Sequence, residues 1–402
     1  MKKELYIYLY DHNTLVGKLY YDFENNKELF SFEYDESFIH SEYKNIVLDP
    51  ELPLYSGRIY PSNNNVFGFL NDVMPDRWGR KLIDKKERVL ALQENRNIKA
   101  NYNFDYLVGV SDITRMGAIR IAERQNGPFI NVDNNPIPPW VFINKLEQAS
   151  LKLEEDDFDE YAFNSLLSPG SSLGGARPKA NVYDNDGNIW IAKFPSKNDD
   201  YDVGAYEMVI HDLMMLCDIK VPEAKLAKYS QYGSTFITKR FDRSLDQRIH
   251  YASIMTLLGS SDMEDNHSYM EIAELLREIS GNPTNDLKEL YKRIIFNYIV
   301  NNIDDHLRNH AMLLENKKWV LSPAFDVNTS LNGSTHSLKL SDELEYSLEN
   351  IKKIGRYFKE IEADKTVNKI KEIIFDNLEN VCKKYGLSRA DYLNMEKSFK
   401  KD

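Results

Sequence analysis

Cysteine and long apolar runs are both scarce in this sequence. The chain has 402 residues and only two cysteines, Cys217 and Cys382, which lie far apart. Two distant cysteines exclude a disulfide framework and a cysteine-rich zinc site, and they are typical of a reducing compartment. No apolar run approaches the ~20 residues that a membrane helix requires. Residues 1–10 alternate polar and apolar side chains, which is typical of a strand rather than a signal sequence. We therefore expect a cytoplasmic protein with no membrane association.

Positive charge is also in deficit. Lysine and arginine number 51 against 63 aspartates and glutamates, which gives a net charge of −12. Direct nucleic-acid binding is not expected, because neutralising a phosphate backbone requires clustered cations. Aromatic residues are plentiful, with 25 tyrosines and 19 phenylalanines, so the chain is not of the disordered class. Its length indicates two or three domains.

The N-terminal part of the chain predicts strands first and a helix later. Alternating runs at 6–10, 16–21 and 28–34 indicate strands, the first two joined as a hairpin, and helical spacing follows over 67–83. A proline- and glycine-punctuated linker at 127–139 places a domain boundary near residue 137. We expect residues 1–137 to form a mixed α/β accessory subdomain.

The remainder of the chain predicts an ordered series of elements. A helix over 139–153 is followed by a glycine-rich loop, a hairpin with an Asp-Gly turn, a helix, two more strands and then mostly helices. The clearest late helix is 286–300, with Asn285 or Asp286 as its expected N-cap. This is the order of a protein-kinase-like fold. We therefore predict an α+β, two-lobed protein, with a β-rich N-lobe at 138–241 and a helical C-lobe at 242–402.

The glycine-rich loop is a candidate phosphate-binding site. Ser171, Ser172, Gly174 and Gly175 could expose backbone N–H groups to an anion, although paired glycines alone are weak evidence. The loop also satisfies the G-x-S-x-G pattern of serine hydrolases, in which a strand enters and a helix leaves the serine. The glycines and Pro178 that follow are hostile to a helix, so hydrolysis is a minor rival.

Lys193 is the candidate lysine for gripping phosphates. It ends the second strand of the predicted hairpin, 14 residues after Lys179, on the same face as Ile189 and Ile191. A charged group on an apolar strand face usually has a partner or a ligand, and a kinase uses a strand lysine in this way. A lysine that extends to water from a sheet edge is an equally good interpretation of Lys193 alone. Glu207 on the next helix is a possible ion-pair partner.

The segment 301–310 carries the sharpest signal. Kinase catalytic loops place an asparagine five positions after the catalytic aspartate. Asp304 and Asn309 match that spacing, whereas five positions after Asp305 lies a histidine. Asp304 would then orient the acceptor hydroxyl and take its proton, Asn309 would bind magnesium, and Arg308 would add positive charge near the transferred group.

A second magnesium ligand is expected at Asp326. This residue follows a predicted hairpin with strands at 312–314 and 319–321, where kinases place their second metal-binding aspartate. We expect Lys193, Asp304, Asn309 and Asp326 to converge on one cleft.

Two simpler interpretations compete for the same segment. Asp304 and Asp305 could cap a helix N-terminus. His306 and His310 could form a zinc pair at i and i+4, but the zinc protease pattern requires glutamate at position 307, where this chain has leucine.

These motifs together resemble the HipA family of bacterial serine/threonine kinase toxins from toxin–antitoxin systems. The resemblance covers nearly the whole chain. It rests on residues 172–179, 191–195, 240–243, 304–309 and 323–326, and on the N-terminal motifs 74–80 and 115–118.

The resemblance implies a role for each matching position. Ser172, or Ser171 beside it, would be autophosphorylated, which ejects the loop and stops the kinase, because a phosphoserine adds nearly two negative charges where ATP phosphates must bind. The nucleotide contacts it implies are Ser171, Ser172, Gly174, Gly175, Lys179, Lys193, Lys239, Phe241 and His306. Asp304 would be catalytic, and Asn309 and Asp326 would hold Mg²⁺. Asp305 departs from the founding member of the family, which has a small residue there, and this second carboxylate could alter substrate choice or metal binding.

The resemblance also implies partners. The protein substrate would be an aminoacyl-tRNA synthetase, and a DNA-binding antitoxin would carry the basic surface that this acidic chain lacks. Two rivals stay open: a small-molecule or lipid kinase on the same scaffold, and a non-catalytic pseudokinase whose loop serine is only a regulatory mark.

Overall fold

The computed structural model describes residues 2–62, 66–132, 137–154, 163–167, 175–244, 247–261 and 266–401. The chain divides into two units. The first comprises Met1–Lys197, Asp242–Ala252 and Thr256–Ser261, and the second comprises Asn198–Phe241, Ser253–Met255 and Asp262–Asp402. The three-domain division with boundaries near 137 and 241 stays a prediction.

An antiparallel five-stranded sheet opens the first unit. Its spatial order is β4-β3-β2-β1-β5, so the first four strands are consecutive neighbours. Gly17 in β2 is required by the close approach of β3, because a Cβ there would lie 2.2 Å from the Glu33 carbonyl oxygen. The three N-terminal strands predicted from alternation are confirmed. The strands are β1 Lys2–Leu9, β2 Leu15–Glu24, β3 Lys27–Tyr34, β4 Arg58–Ile59 and β5 Ile119–Ala122.

The helical pattern predicted over 67–83 is two helices rather than one. Residues 72–76 interrupt it, because Pro75 lacks an N–H and disfavours helical backbone at the residue before it. Asp76 then takes the N-cap position of the second helix. The helices of this region are α1 Glu36–Ile39, α2 Gly68–Asn71, α3 Arg77–Gln93 and α4 Asn103–Gly109.

The first unit also contains the predicted hairpin with the Asp-Gly turn. Asp184 fixes this turn by accepting hydrogen bonds from the backbone N–H of Asp186 and Asn188 and from the Trp190 indole. Gly187 has a φ of +83°, which glycine adopts without strain. The hairpin is confirmed. The other elements here are a 3₁₀ helix Trp140–Phe142, α5 Ile143–Glu154, a helical stretch 163–167 (α6), β6 Lys179–Tyr183, β7 Ile189–Lys193, β10 Arg243–Ser244 and β11 Gln247–Arg248.

The second unit is mainly helical and is built around one buried helix, α10, in which every residue from Leu290 to Ile299 except Lys292 is buried. A hairpin of β8 and β9 lies after α7, and a second hairpin of β13 and β14 follows α10. The elements are α7 Val203–Leu216, β8 Ala224–Ala227, β9 Thr235–Lys239, α9 Tyr269–Ile279, α10 Pro283–Ile299, a 3₁₀ helix Leu307–Asn309, β13 Ala311–Glu315, β14 Lys318–Leu321, α11 Leu348–Ile354, a 3₁₀ helix Gly355–Phe358, α12 Ala363–Lys384 and α13 Arg389–Ser398. Two short elements, β12 His250–Ser253 and α8 Ile254–Leu257, lie where the chain changes unit.

The expected N-cap of α10 is wrong. The helix begins at Pro283 with Asn282 as its N-cap, because proline suits the first helical turn, where an N–H has no intrahelical partner. Asp286 has a different task. It is buried and accepts hydrogen bonds from the Ser280 hydroxyl and from the Leu321 backbone N–H, so it ties α10 to the second hairpin.

No helix in the described ranges combines the length and apolar character needed to cross a membrane. The mixture of antiparallel sheets with many helices is the α+β class that the sequence predicts.

Candidate functional site

The hairpin β13–β14 brings two predicted site segments together in the second unit. Met312 pairs with Leu321, and the pairing extends outward through a 2.9 Å hydrogen bond from the Ser322 N–H to the Ala311 carbonyl. The chain entering β13 and the chain leaving β14 therefore lie side by side. Accordingly, Asn309 lines the same small cavity as Ala324 and Val327, the residues that flank Phe325 and Asp326.

Exposure separates the two adjacent aspartates. Asp304 is exposed to solvent, whereas Asp305 is buried. The Asn309 side-chain amide donates a 3.1 Å hydrogen bond to the Asp304 carbonyl, which closes the loop between the predicted catalytic residue and the predicted metal ligand. The loop thus presents the Asp304 carboxylate outward while it holds Asn309 close behind it.

The Asp305 carboxylate anchors this loop through hydrogen bonds. Its Oδ2 accepts hydrogen bonds from the Tyr269 hydroxyl at 2.5 Å, the Asn297 amide at 2.8 Å and His310 Nε2 at 3.0 Å. Burial alone would raise the pKa of Asp305, but the neighbouring His310 and the donated hydrogen bonds outweigh it and hold that pKa below its usual range. The same burial and the Asp305 charge raise the pKa of Tyr269 well above its ordinary value. These three hydrogen bonds anchor the loop at Asp305, and a role of this carboxylate in substrate choice or metal binding stays a prediction.

Asp326 lies in a strained part of the backbone. Its φ is +57°, a left-handed conformation that costs a non-glycine residue roughly 1–3 kcal/mol and that persists where the surroundings impose it. Two contacts hold the residues just before Asp326. The Ala324 N–H donates to the Lys220 carbonyl at 2.7 Å, and the Phe325 ring lies 5.3 Å from the ring of Phe241. Phe241, a predicted nucleotide contact, is therefore a neighbour of the Asp326 segment.

Two further predicted nucleotide contacts belong to this unit. The Lys239 N–H already donates to the Glu223 carbonyl at 2.8 Å, so a nucleotide contact of Lys239 would use its carbonyl oxygen. His306 is half-buried at the start of the 3₁₀ helix, and its Nδ1 is buried without a hydrogen-bond partner among the described residues.

The zinc interpretation of His306 and His310 is not supported. His310 Nε2 is engaged by Asp305. Within the described ranges no group of three or more His, Cys, Asp or Glu side chains is placed to hold a metal ion.

Two lysines face each other in the first unit. Lys179 in β6 is directly opposite Lys193 in β7; the first is buried and the second half-buried. Like charges directly across a sheet repel each other. The pair thus places two cationic side chains at the same end of the hairpin. Glu207 lies buried in α7 of the second unit, and both its pairing with Lys193 and the convergence of Lys193 with Asp304 stay predictions.

Most of the glycine loop lies outside the described residues, including Ser171, Ser172 and Gly174. Gly175 is described. Its φ is +80°, and its N–H donates a 2.6 Å hydrogen bond to the Asp76 carboxylate. Sequence reasoning assigned no role to Asp76, although the motif around it carried part of the family resemblance.

Contacts within the first unit join the motif at 115–118 to Asp242 and Arg243, the last two residues of the motif at 240–243. Asp242 accepts a 2.7 Å hydrogen bond from the Gly117 N–H, and Arg243 donates to the carbonyls of Arg115 and Gly117. Gly117 has a φ of +66°, and a Cβ there would lie 3.0 Å from the Tyr251 backbone nitrogen. The two segments are therefore joined by hydrogen bonds, although more than a hundred residues separate them in the sequence.

Comparison with known proteins gives a consistent result. The model of the HipA N-terminal domain matches residues 5–121, and the model of the HipA-like C-terminal domain matches residues 171–383. A protein of Sinorhizobium fredii named as a candidate kinase, Y4dM, is 24% identical over 188 residues, which is 40% of this chain and 45% of that protein. A protein of Haemophilus influenzae, also named as a candidate kinase, is 26% identical over 179 residues, which is 39% of this chain and 52% of that protein. The chain thus spans about half the length of these curated relatives.

A solved structure matches over nearly the full length. HipA of Shewanella oneidensis MR-1, determined with HipB and its operator DNA, aligns with a TM-score of 0.68 at 15% sequence identity. The alignment covers 98% of this chain and 96% of that one. At this identity the match shows the fold alone, and it confirms the predicted kinase-like α+β class.

Proposed function

Because the chain belongs to the HipA family, we propose that it is an ATP- and Mg²⁺-dependent serine/threonine protein kinase. One observation carries the proposal. An exposed aspartate, Asp304, lies five positions before a buried asparagine, Asn309, and the hairpin between them and Asp326 places Asn309 beside the Asp326 segment. Phosphoryl transfer needs this combination of a group that orients the acceptor hydroxyl and oxygen ligands for a metal ion.

Asp304 has the access that the catalytic role requires. Its exposed carboxylate can accept the proton of an incoming serine or threonine hydroxyl, while the hydrogen bond from Asn309 to its backbone fixes the loop. Arg308, half-buried in the same turn, adds positive charge near the site of transfer.

Asn309 and Asp326 suit magnesium. Amide and carboxylate oxygens are hard ligands, and magnesium in such sites takes one or two protein groups together with phosphate oxygens. The ion would neutralise charge on the phosphates of ATP.

The opposed pair Lys179 and Lys193 supports a phosphate-binding role for the hairpin, since it places two cationic side chains at one end of the two strands, and lysines bind phosphate oxygens. The neighbouring loop serines, Ser172 and Ser171, are then the sites that we propose for autophosphorylation. A phosphate there would compete with the nucleotide for the same cationic environment.

The proposed biological role is that of the toxin in a HipBA-type toxin–antitoxin system. The Shewanella protein was solved with HipB and operator DNA. A DNA-binding antitoxin would supply the basic surface that this chain, with a net charge of −12, lacks. The proposed protein substrate is an aminoacyl-tRNA synthetase, whose phosphorylation would stop translation.

Intact mass spectrometry after incubation with ATP and MgCl₂ tests the activity. We expect the addition of phosphoryl groups that map to Ser171 or Ser172, and loss of this addition in Asp304→Asn. Asp342→Asn, at another exposed aspartate of the second unit, is the matched control and should label normally. Undiminished labelling of Asp304→Asn would overturn the catalytic assignment.

Labelled ATP added to a bacterial lysate tests the substrate class. A labelled protein other than the kinase itself supports a protein kinase. Label that is found only in small molecules or lipids would replace this proposal with the corresponding metabolite or lipid kinase.

A further inference from the structure

The N-terminal helix α3 is bonded to the segment that carries Gly175 and Lys179. The Asp76 carboxylate accepts from the Gly175 N–H at 2.6 Å, and the Trp78 N–H donates to the Gly175 carbonyl at 3.1 Å. The Trp78 indole N–H donates to the Lys179 carbonyl at 2.9 Å. All of these residues belong to the first unit. A motif about a hundred residues away therefore holds both ends of a five-residue segment.

The use of Asp76 is unusual for its position. Aspartate is among the best N-cap residues, because its carboxylate can accept the free N–H groups of the first helical turn. Asp76 is the N-cap of α3 but makes no side-chain capping bond. Its carboxylate is instead turned to Gly175. One of the free N–H groups of that turn, at Trp78, is satisfied by the Gly175 carbonyl.

Gly175 and the Lys179 side chain pack closely against each other. Gly175 has a φ of +80°, and a Cβ at this position would lie 2.7 Å from the Lys179 ammonium nitrogen. The Lys179 side chain thus lies over Gly175, and Lys179 in turn faces Lys193 across the hairpin. Trp78 is 2% exposed, so its indole is a rigid support. A shift of Gly175 or of the start of β6 would move the Lys179 ammonium group.

We propose that Asp76 and Trp78 are positioning residues of the nucleotide-phosphate site, acting through Gly175 and Lys179. This inference rests on the proposed kinase function. In this proposal the N-terminal motif 74–80 sets the geometry in which Gly175 and Lys179 contact the ATP phosphates.

Equilibrium ATP binding and steady-state kinetics test the inference with matched variants. Asp76→Ala loses the carboxylate acceptor, and we expect its Kd and KM for ATP to rise about tenfold, the equivalent of one charge-assisted hydrogen bond. The kcat should change by less than about twofold, because the catalytic loop is untouched. Asp76→Asn keeps an oxygen acceptor and should recover most of the affinity. Arg77→Ala, an exposed neighbour, should bind ATP like the original chain.

Trp78→Phe gives an independent readout. It keeps an aromatic ring in the buried site but removes the indole N–H, so it should raise the Kd for ATP in the same direction with an unchanged kcat.

Each variant is first checked for a native urea midpoint, and Asp76→Asn guards against a folding artefact in Asp76→Ala. The inference is overturned if a folded Asp76→Ala binds ATP with unchanged Kd, or if its kcat falls while its KM stays constant. These outcomes are distinct from failure of the proposed function, in which the unaltered chain would itself bind no ATP.

Discussion

The buried Asp305 provides the strongest test of how the catalytic loop is held. Asp305→Ala removes the acceptor of three buried donors, on Tyr269, Asn297 and His310. A hydrogen bond to an ionised group contributes about 1.5–3 kcal/mol. Removing one partner from a buried charged cluster costs about 3–5 kcal/mol. We expect Asp305→Ala to lower the free energy of unfolding by about 3–5 kcal/mol.

Tyr269→Phe is the matched control for Asp305→Ala. It removes one donor and leaves two, so it should cost about 1.5–3 kcal/mol. The double variant should cost less than the sum of the two single variants, since both remove the same hydrogen bond. Urea unfolding of the full chain, monitored by intrinsic fluorescence, gives these free energies of unfolding. A loss below about 1 kcal/mol for Asp305→Ala would refute the idea that this carboxylate anchors the loop.

The contribution of Asp305 to stability should depend on pH, and the sign of that dependence can be tested with a second variant, Asp305→Asn. The pKa of Asp305 is held below its usual range in the folded protein, whereas in the unfolded chain it is about 3.9. Its contribution to stability is therefore fully present above about pH 4 and is lost as the pH falls toward the folded value. The difference in unfolding free energy between the original chain and Asp305→Asn should narrow below about pH 4. A difference that stays constant to lower pH would contradict the assigned direction.

Three further predictions concern stability. Burial lowers the pKa of His250 to about 4, so below about pH 6.5 the unfolded chain binds a proton at this residue that the folded protein does not. The free energy of unfolding should therefore fall by up to about 3 kcal/mol as the pH is lowered from about 6.5 to about 4. His250→Gln should flatten this part of the pH–stability curve. Gly204→Ala should lower the free energy of unfolding by about 3 kcal/mol in thermal unfolding, because its Cβ would lie 2.1 Å from the Ser234 carbonyl oxygen. Gly187→Ala has open space around it and a φ of +83°, so it should cost only about 1–2 kcal/mol. Equal losses for the two variants would contradict the steric argument. Asp202→Ala should lower the free energy of unfolding by about 2 kcal/mol, because this carboxylate accepts hydrogen bonds from the Ala205 N–H, as the cap of α7, and from the Ser234 N–H and hydroxyl. Asp202→Asn keeps one acceptor, so chemical denaturation should show a smaller loss for it.

Local chemistry made much of the fold predictable. The hairpin at Asp184–Asn188 follows from an Asp-Gly pair between alternating runs, since the aspartate bonds its own turn and the glycine accepts a positive φ. Spacing alone predicts a catalytic loop at 304–309 and selects Asp304 over Asp305. Asp304 is exposed and Asp305 is buried, and the catalytic assignment stays a prediction.

Long-range contacts were not predictable in this way. Asp76 and Gly175 are 99 residues apart, and Gly117 and Asp242 are 125 apart. Periodicity reports which face of a helix or strand is apolar, but it contains no information about which distant segment covers a given polar group. The partners of Asp305 were hidden for the same reason, because Tyr269 comes from α9 and Asn297 from α10.

Burial now divides the motif residues into two physical kinds. Asp304 is exposed and can meet a substrate, whereas Asp305 and Asp242 are buried and bond to their own chain. A buried carboxylate is stable only when donors surround it, so its position is specified by the fold as tightly as that of any apolar core residue. A short polar motif can therefore be conspicuous in a sequence for either reason. Near a reactive centre the second kind of residue supplies the rigidity on which the first depends, because a catalytic group that is misplaced by even about 1 Å loses much of its effect.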